Sequence, residues 1–407
     1  MGSCASSPDQ KNLATLSAEE GADLLATYLR LEKEIFHEER GPPAPGLGHA
    51  MVKLERLTIE LDTALLEVTG DVDEKQTTVP GTVPEMDTSR MENFDDSIRR
   101  LLQELHLNRL PDVAAEHEEF VANINRKAMR QHKVYWLNRR KEDAQQEVAR
   151  LSERLQHLQQ LYEQHEHILK SIGNGSRSEL AAETDRLRSY RDTLYSGELC
   201  WREASRLVQA AAALSRSAVE SWTQIKDTIN NDSRWRLGTE ARNCLHEGVM
   251  CVQSAQLNLP GVQFPYCNHR EILALTQVLE YMFTDMQIPD RYKHGMAVYS
   301  SFQKRTTALY QWINKMMEET IHKDVVDVDQ KLAQIVTNVT NQTANVIRQK
   351  AGLGVAKGYE SQTLNRRMPP EDYDRKFLPN SYSVHNNSLM LLRENFPRTN
   401  IIEKTVT

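Results

Sequence analysis

The chain has 407 residues, of which 26% are charged and only 6% aromatic, and it carries a formal net charge of −7 at pH 7. That mix suits long amphipathic helices rather than a thick globular core, leaves room for two or three domains, and gives no electrostatic basis for binding nucleic acid. Cys4, Cys200, Cys244, Cys251 and Cys267 form an odd set without framework spacing, as expected in a reducing compartment, and no apolar run reaches the roughly 18 residues that a bilayer span needs.

The first residues read Met1-Gly2-Ser3-Cys4-Ala5-Ser6-Ser7. Removal of the methionine would leave Gly2 as an acceptor for N-myristoylation, with Ser6 at the position the motif requires. These seven residues resemble the dually acylated N-termini of Src-family kinases and G-protein α subunits. The resemblance ends there and implies an address, not an activity. One myristoyl chain binds a membrane only marginally, at about 10⁴ M⁻¹, so stable residence needs a second signal; Cys4 is positioned for palmitoylation. The expected location is the cytoplasmic face of a membrane, the plasma membrane in the first instance.

After this anchor segment (1–16), residues 17–69 read as a helical hairpin. Ser17 and Glu20 have capping-box spacing, and Leu24, Tyr28, Leu31 and Ile35 make one helical stripe. The acidic residues of this helix would be repelled by an anionic leaflet, so it is expected to dock on the helical hairpin or on a partner. The run Gly41-Pro42-Pro43-Ala44-Pro45-Gly46 predicts a break, followed by a second helix over His49 to Val68 that carries Val52, Leu54, Leu57, Leu61, Leu65 and Leu66. Residues 70–91 lack periodicity and read as a flexible linker.

Residues 92–232 read as a long coiled-coil hairpin. Apolar side chains recur at 3-then-4 spacing from Val134 through Leu137, Ala144, Leu151, Leu158 and Ile172, and again from Leu180 through Leu187, Tyr190, Leu194, Trp201, Val208, Trp222 and Ile229. Gly173-Asn174-Gly175-Ser176 supplies the reversal, and Ser176 with Glu179 has the spacing to restart a helix. Within the first arm, Arg126, Lys127, Arg130, Lys133, Arg140 and Lys141 fall in a stretch without a single acidic residue. At 100° per residue most of them share a face, which makes them a candidate surface for anionic lipid; the alternative is a solvated face matching acidic partners in the same bundle.

Residues 233–351 read as further helices packing on the hairpin: one over 234–256, a packed loop from Leu257 to Tyr266, and helices over 269–286, 291–321 and Val325 to Lys350. Ala210 to Ala213 would let one of them approach closely. The last repeats Val325, Val328, Leu332, Ile335, Val339 and Val346 at heptad spacing, which places Gln342 in a core slot. Residues 352–407 read as a largely disordered tail holding Tyr373 in acidic surroundings, a candidate phosphorylation site, and an apolar cluster from Leu389 to Leu392.

Taken together these features predict an all-α protein, an elongated antiparallel bundle without catalytic motif, metal or cofactor. The expected function is that of a membrane-tethered, non-enzymatic adaptor, held by its N-terminal acyl chains and binding other proteins through its helices and tail. The alternative is a lipid-binding or membrane-shaping homodimer resembling BAR-type helical modules, which share long antiparallel helices and a one-sided basic stripe. A third reading, an enzyme or zinc module in 234–321, rests on Cys244, Cys251, Cys267 and His269, although a seven-residue cysteine spacing is a heptad period and not a CxxC knuckle.

Overall fold

The computed structural model describes residues 17–69, 99–100, 116–173 and 179–352. Among these residues the protein is all-α, with no strand. The main helices are α1 (Ala18–Glu39), α2 (Pro43–Thr69), α3 (Glu118–Ser171), α4 (Glu179–Asp227), α5 (Asn231–Asn258), α6 (His269–Glu280), the single turn α7 (Met282–Asp285), α8 (Pro289–Met316) and α9 (His322–Lys350). The chain divides into two compact units. One draws on Met1–Gly48, Ala149–Ser196 and Lys323–Tyr373, the other on His49–Val148, Gly197–His322 and Asp374–Thr407, counting in each only the described residues.

Local signals account for most helix ends. Ser17 accepts the Glu20 amide while the Glu20 carboxylate accepts the Ser17 amide, the reciprocal cap expected from their spacing. Asn268 and Glu271 repeat the device at the start of α6. Gly173, at φ 68°, ends the turn after α3 in a left-handed conformation that other residues adopt only with strain. The second hairpin signal, Ser176, lies outside the described residues, as does the linker 70–91.

Three expectations need correction. Helix α2 starts at Pro43, not His49. Proline fits the first turn of a helix, where its missing N–H is not needed, so the proline run opens the helix instead of breaking the chain. The predicted break before Val325 is absent: α8 passes into α9 through a π-helical segment, Met317–Ile321. A π segment of this kind adds one residue to an α-helix and shifts the facing of everything after it by about 100°; Ile313 before it and Val325 after it are both buried. Gln342 is exposed, while Thr343, Ala344 and Ile347 are buried. The buried stripe of α9 runs Val325, Val328, Leu332, Thr343, Ile347, nearer the 3.6 period of a straight helix than the 3.5 of a coiled coil.

In the first unit α1 lays Tyr28, Leu31 and Ile35 against Leu158, Leu161, Ile168 and Ile172 of α3 and Ile347 of α9. A Cβ at Gly21 would come within 2.1 Å of the Ala351 Cβ, so only glycine lets α1 pass this close to the end of α9. The Lys350 ammonium donates to the Ile172 carbonyl, one of the acceptors left open where α3 ends.

The core of the second unit is built on α4 and α5. Ala211 presents bare backbone to Gly248 of α5, the close approach that the alanine run of α4 predicts. Trp222, fully buried, stacks on Tyr292 at 5.2 Å and meets the edge of Tyr299 at 5.2 Å, while Trp235 stacks on Phe283 at 4.1 Å. The loop before α6 is packed, with Leu259 and Phe264 buried. Two residues assigned to the α4 stripe turn outward: Tyr190 is 55% and Ile229 98% exposed. Trp222→Ala is expected to lower stability by about 3–5 kcal/mol in denaturant unfolding, because the Tyr292 and Tyr299 rings packed on it cannot fill the void.

Candidate functional site

The sequence-predicted acylation sites Gly2 and Cys4, and the candidate phosphorylation site Tyr373, lie outside the described residues. The basic run of α3 is described and is divided among several contacts. Arg126 bridges Glu119 at 2.5 Å and Glu280 of α6 at 2.9 Å. Lys133 reaches Glu67 of α2 at 3.2 Å. Arg140 is 7% exposed, lies over the Trp136 ring at 4.7 Å, and bonds Glu203 of α4 at 3.2 Å. Lys127 is exposed, and Arg130 and Lys141 are half-buried. The stretch therefore carries much of the pairing inside the second unit, and Arg140 does not share an outward face with the rest. The carboxylate partners of Arg126, Lys133 and Arg140 sit on α2, α3, α4 and α6.

Glu203 is the hub of the densest polar cluster. Its carboxylate, 13% exposed as a side chain, accepts from the Lys53 ammonium at 2.7 Å and from Arg140. Burial alone would raise its pKa, but Lys53 and then Arg140 outweigh that and hold the carboxyl at about 2. Around the hub, Arg56 donates to the Asn258 side chain at 2.9 Å and faces Glu60 at 3.7 Å, and the Cys200 sulfur lies 3.8 Å from His49 Nδ1. Burial pushes the Cys200 thiol up and the His49 imidazole down. Both are neutral near pH 7, which is not the thiolate–imidazolium pair that a cysteine nucleophile uses.

A second buried cluster ties α3 to α5 and α6. Asn125 donates through one amide nitrogen to the Leu279 and Glu280 carbonyls, at 2.8 and 3.0 Å, where α6 ends, and accepts from Arg242 at 3.3 Å. Arg242 is 2% exposed and also sits over the Phe283 ring at 5.6 Å. Beside it His132 Nδ1 and His246 Nδ1 are 3.3 Å apart, so one ring donates and the other accepts, and both cannot be protonated there. Burial and then Arg242 depress His132 to about 4; burial, His132 and Arg242 hold His246 well below the ordinary imidazole value.

In the first unit, buried Glu39 receives Arg188 at 3.0 Å, Arg191 at 3.8 Å and the Tyr162 hydroxyl. Glu38 takes Arg154 at 2.9 Å. His165, stacked on Tyr28 at 5.4 Å, contacts Glu32 at 2.8 Å. Glu32, Glu38 and Glu39 of α1 are thus spent on α3 and α4, the docking that the sequence allows for.

These clusters escaped sequence reading because their members are far apart along the chain and individually resemble surface charges. One signal was available: Thr184, Arg191, Glu198 and Ser205 are all buried and recur every seven residues along α4. The candidate zinc ligands separate into buried free thiols at Cys244, Cys251 and Cys267, and no group of three or more His, Cys, Asp or Glu among the described residues is arranged to hold a metal ion. No described helix is long and apolar enough to cross a membrane. No protein-family model, curated protein or solved structure matches the chain.

Glu203→Gln leaves Lys53 and Arg140 without their shared counter-charge and is expected to cost about 3–5 kcal/mol in denaturant unfolding, whereas Glu203→Gln combined with Arg140→Met recovers part of the loss. The histidine pair sets a pH dependence. Protonation is harder in the folded state, so the stability that His132 and His246 contribute is complete above about pH 6.5 and is lost progressively as pH falls toward 4. Asp285, which burial pushes up to about 6, acts in the opposite sense. Replacing both histidines by Gln should flatten the fall in unfolding free energy between pH 6.5 and 5 relative to the wild-type chain.

Proposed function

We propose that this protein is a membrane-tethered helical adaptor, anchored at a cytoplasmic membrane face by myristoyl on Gly2 and palmitoyl on Cys4, and acting through protein–protein contacts. The observation that carries the reading is Met1-Gly2-Ser3-Cys4-Ala5-Ser6: acceptor glycine, required serine and a thiol beside the glycine. The character of the clusters supports it. Glu203, Glu39 and the histidine pair each join one helix to another, and the Cys200–His49 contact holds its thiol neutral, so they read as bundle locks and not as reaction chemistry. The alternative, a vesicle-binding dimer using the basic run, is weaker because Arg126, Lys133 and Arg140 already serve Glu119, Glu280, Glu67 and Glu203.

Intact-mass analysis of the protein extracted from cell membranes should find both acyl groups. Gly2→Ala should move the protein to the soluble fraction, since palmitoylation follows from myristate holding the thiol at the bilayer. Cys4→Ser should leave a myristoylated protein that washes off. A Gly2→Ala chain that stays fully membrane-bound overturns the proposal.

A further inference from the structure

Helix α2 has two apolar faces. One is buried, through Leu57, Leu61 and Ala64. On the other Val52 is 64%, Ile59 61% and Leu66 72% exposed. These three recur every seven residues, so they line up along one side of α2 as a ridge with one apolar residue every two turns, over about 21 Å of helix. Its edges are acidic. Glu55 and Asp62 stand exposed along one side; Glu60 and Glu67 border the other. Glu60 already faces Arg56 at 3.7 Å and Glu67 the Lys133 ammonium at 3.2 Å, and Lys53 turns to Glu203, so the exposed acidic side is that of Glu55 and Asp62.

We infer that this ridge is the docking surface for an amphipathic helix of a partner protein, one that carries apolar residues at heptad spacing and Lys or Arg at their flanks. The charge pattern selects this occupant. An anionic leaflet would be repelled by exposed Glu55 and Asp62. A second copy pairing the same ridge would set acidic edge against acidic edge. The apolar cluster Leu389 to Leu392 of this chain has four adjacent apolar residues, which would spread around a helix instead of lining up at sevens. Two heptads bury too little to hold two isolated helices together, but α2 is already ordered by Leu57, Leu61 and Ala64, so only the incoming helix has entropy to lose. The basic flanks then supply orientation, with Lys or Arg facing Glu55 and Asp62.

The inference deepens the adaptor reading by naming the surface and the chemistry of the partner, and it is tested separately from the acyl anchor. The photo-crosslinking amino acid p-benzoylphenylalanine is placed at Ile59 in the full chain, or as a control at exposed Tyr190 of the first unit, and crosslinked peptides from irradiated cells are sequenced by mass spectrometry. The expected product at Ile59 is a segment of another protein with a heptad apolar stripe and net positive flanks, absent from the Tyr190 control. Glu55→Lys with Asp62→Lys should lower its yield about fivefold, as removing two rim ion pairs predicts. An acidic segment, a lipid, a second copy, a self-crosslink, or a yield no higher than that from Tyr190 overturns the inference. The same crosslink retained by Gly2→Ala protein would show the surface working without the anchor.

Discussion

Arg140 cannot be buried alone. Its guanidinium lies on Trp136 inside the second unit and carries a full charge that neither the ring nor neighbouring alkyl groups can neutralise. The position is tenable because α4 brings Glu203 to it and α2 brings Lys53 to the same carboxylate, so three helices must be in place together. Around this polar centre the apolar packing is conventional, with leucines, alanines and Trp222 filling the space between α2, α3, α4, α5 and α8. The first unit repeats the logic with Glu39, which holds α1 to α3 and α4 through Tyr162, Arg188 and Arg191.

How much of this could be read from the sequence differs by level. The long helices, the reversal at Gly173, the cap at Ser17 and the alanine seat for α5 were all legible, because each rests on local chemistry or on a period that survives many turns. Proline misled at Pro43, where the same ring that breaks a helix interior suits its first turn. The π segment was invisible, since nothing in Met317 to Ile321 departs from ordinary helix composition. Gln342 was misplaced by extending a 3.5-residue period along a helix that is nearly straight. The ridge on α2 was in view as an excess of leucine and valine, but which of them faced outward depended on Leu57 and Leu61 winning the interior.

The basic run of α3 illustrates a more general limit. Seven cations without an acid between them look like a surface for phosphate headgroups, and projection on a wheel supports that for most of them. What the projection lacks is the rest of the bundle. Acidic residues on α2, α4 and α6 reach Arg126, Lys133 and Arg140, although the segments lie far apart in sequence. The exposed carboxylates that remain on α2 then give its outer face the opposite sign from the one the run on α3 suggested.

Such ion pairs need not be strongly stabilising, since desolvation consumes most of the attraction. Their more certain consequence is register. A stripe of Leu, Ala and Val at heptad spacing is nearly unchanged when one helix slides past another by seven residues, so apolar packing alone discriminates poorly against the slipped state. The charges are not periodic in that way. Sliding α4 by a heptad in one direction would offer Glu39 the side chains of Tyr195 and Glu198 in place of Arg188 and Arg191; sliding it in the other would offer Ala181 and Thr184. Arg140 and Lys53 would meet Ala210 or Ser196 instead of Glu203. Either slip buries a charge without a counter-charge, a penalty of several kcal/mol at each hub. The polar residues that interrupt the stripes are therefore what makes a repetitive helix specify a single pairing.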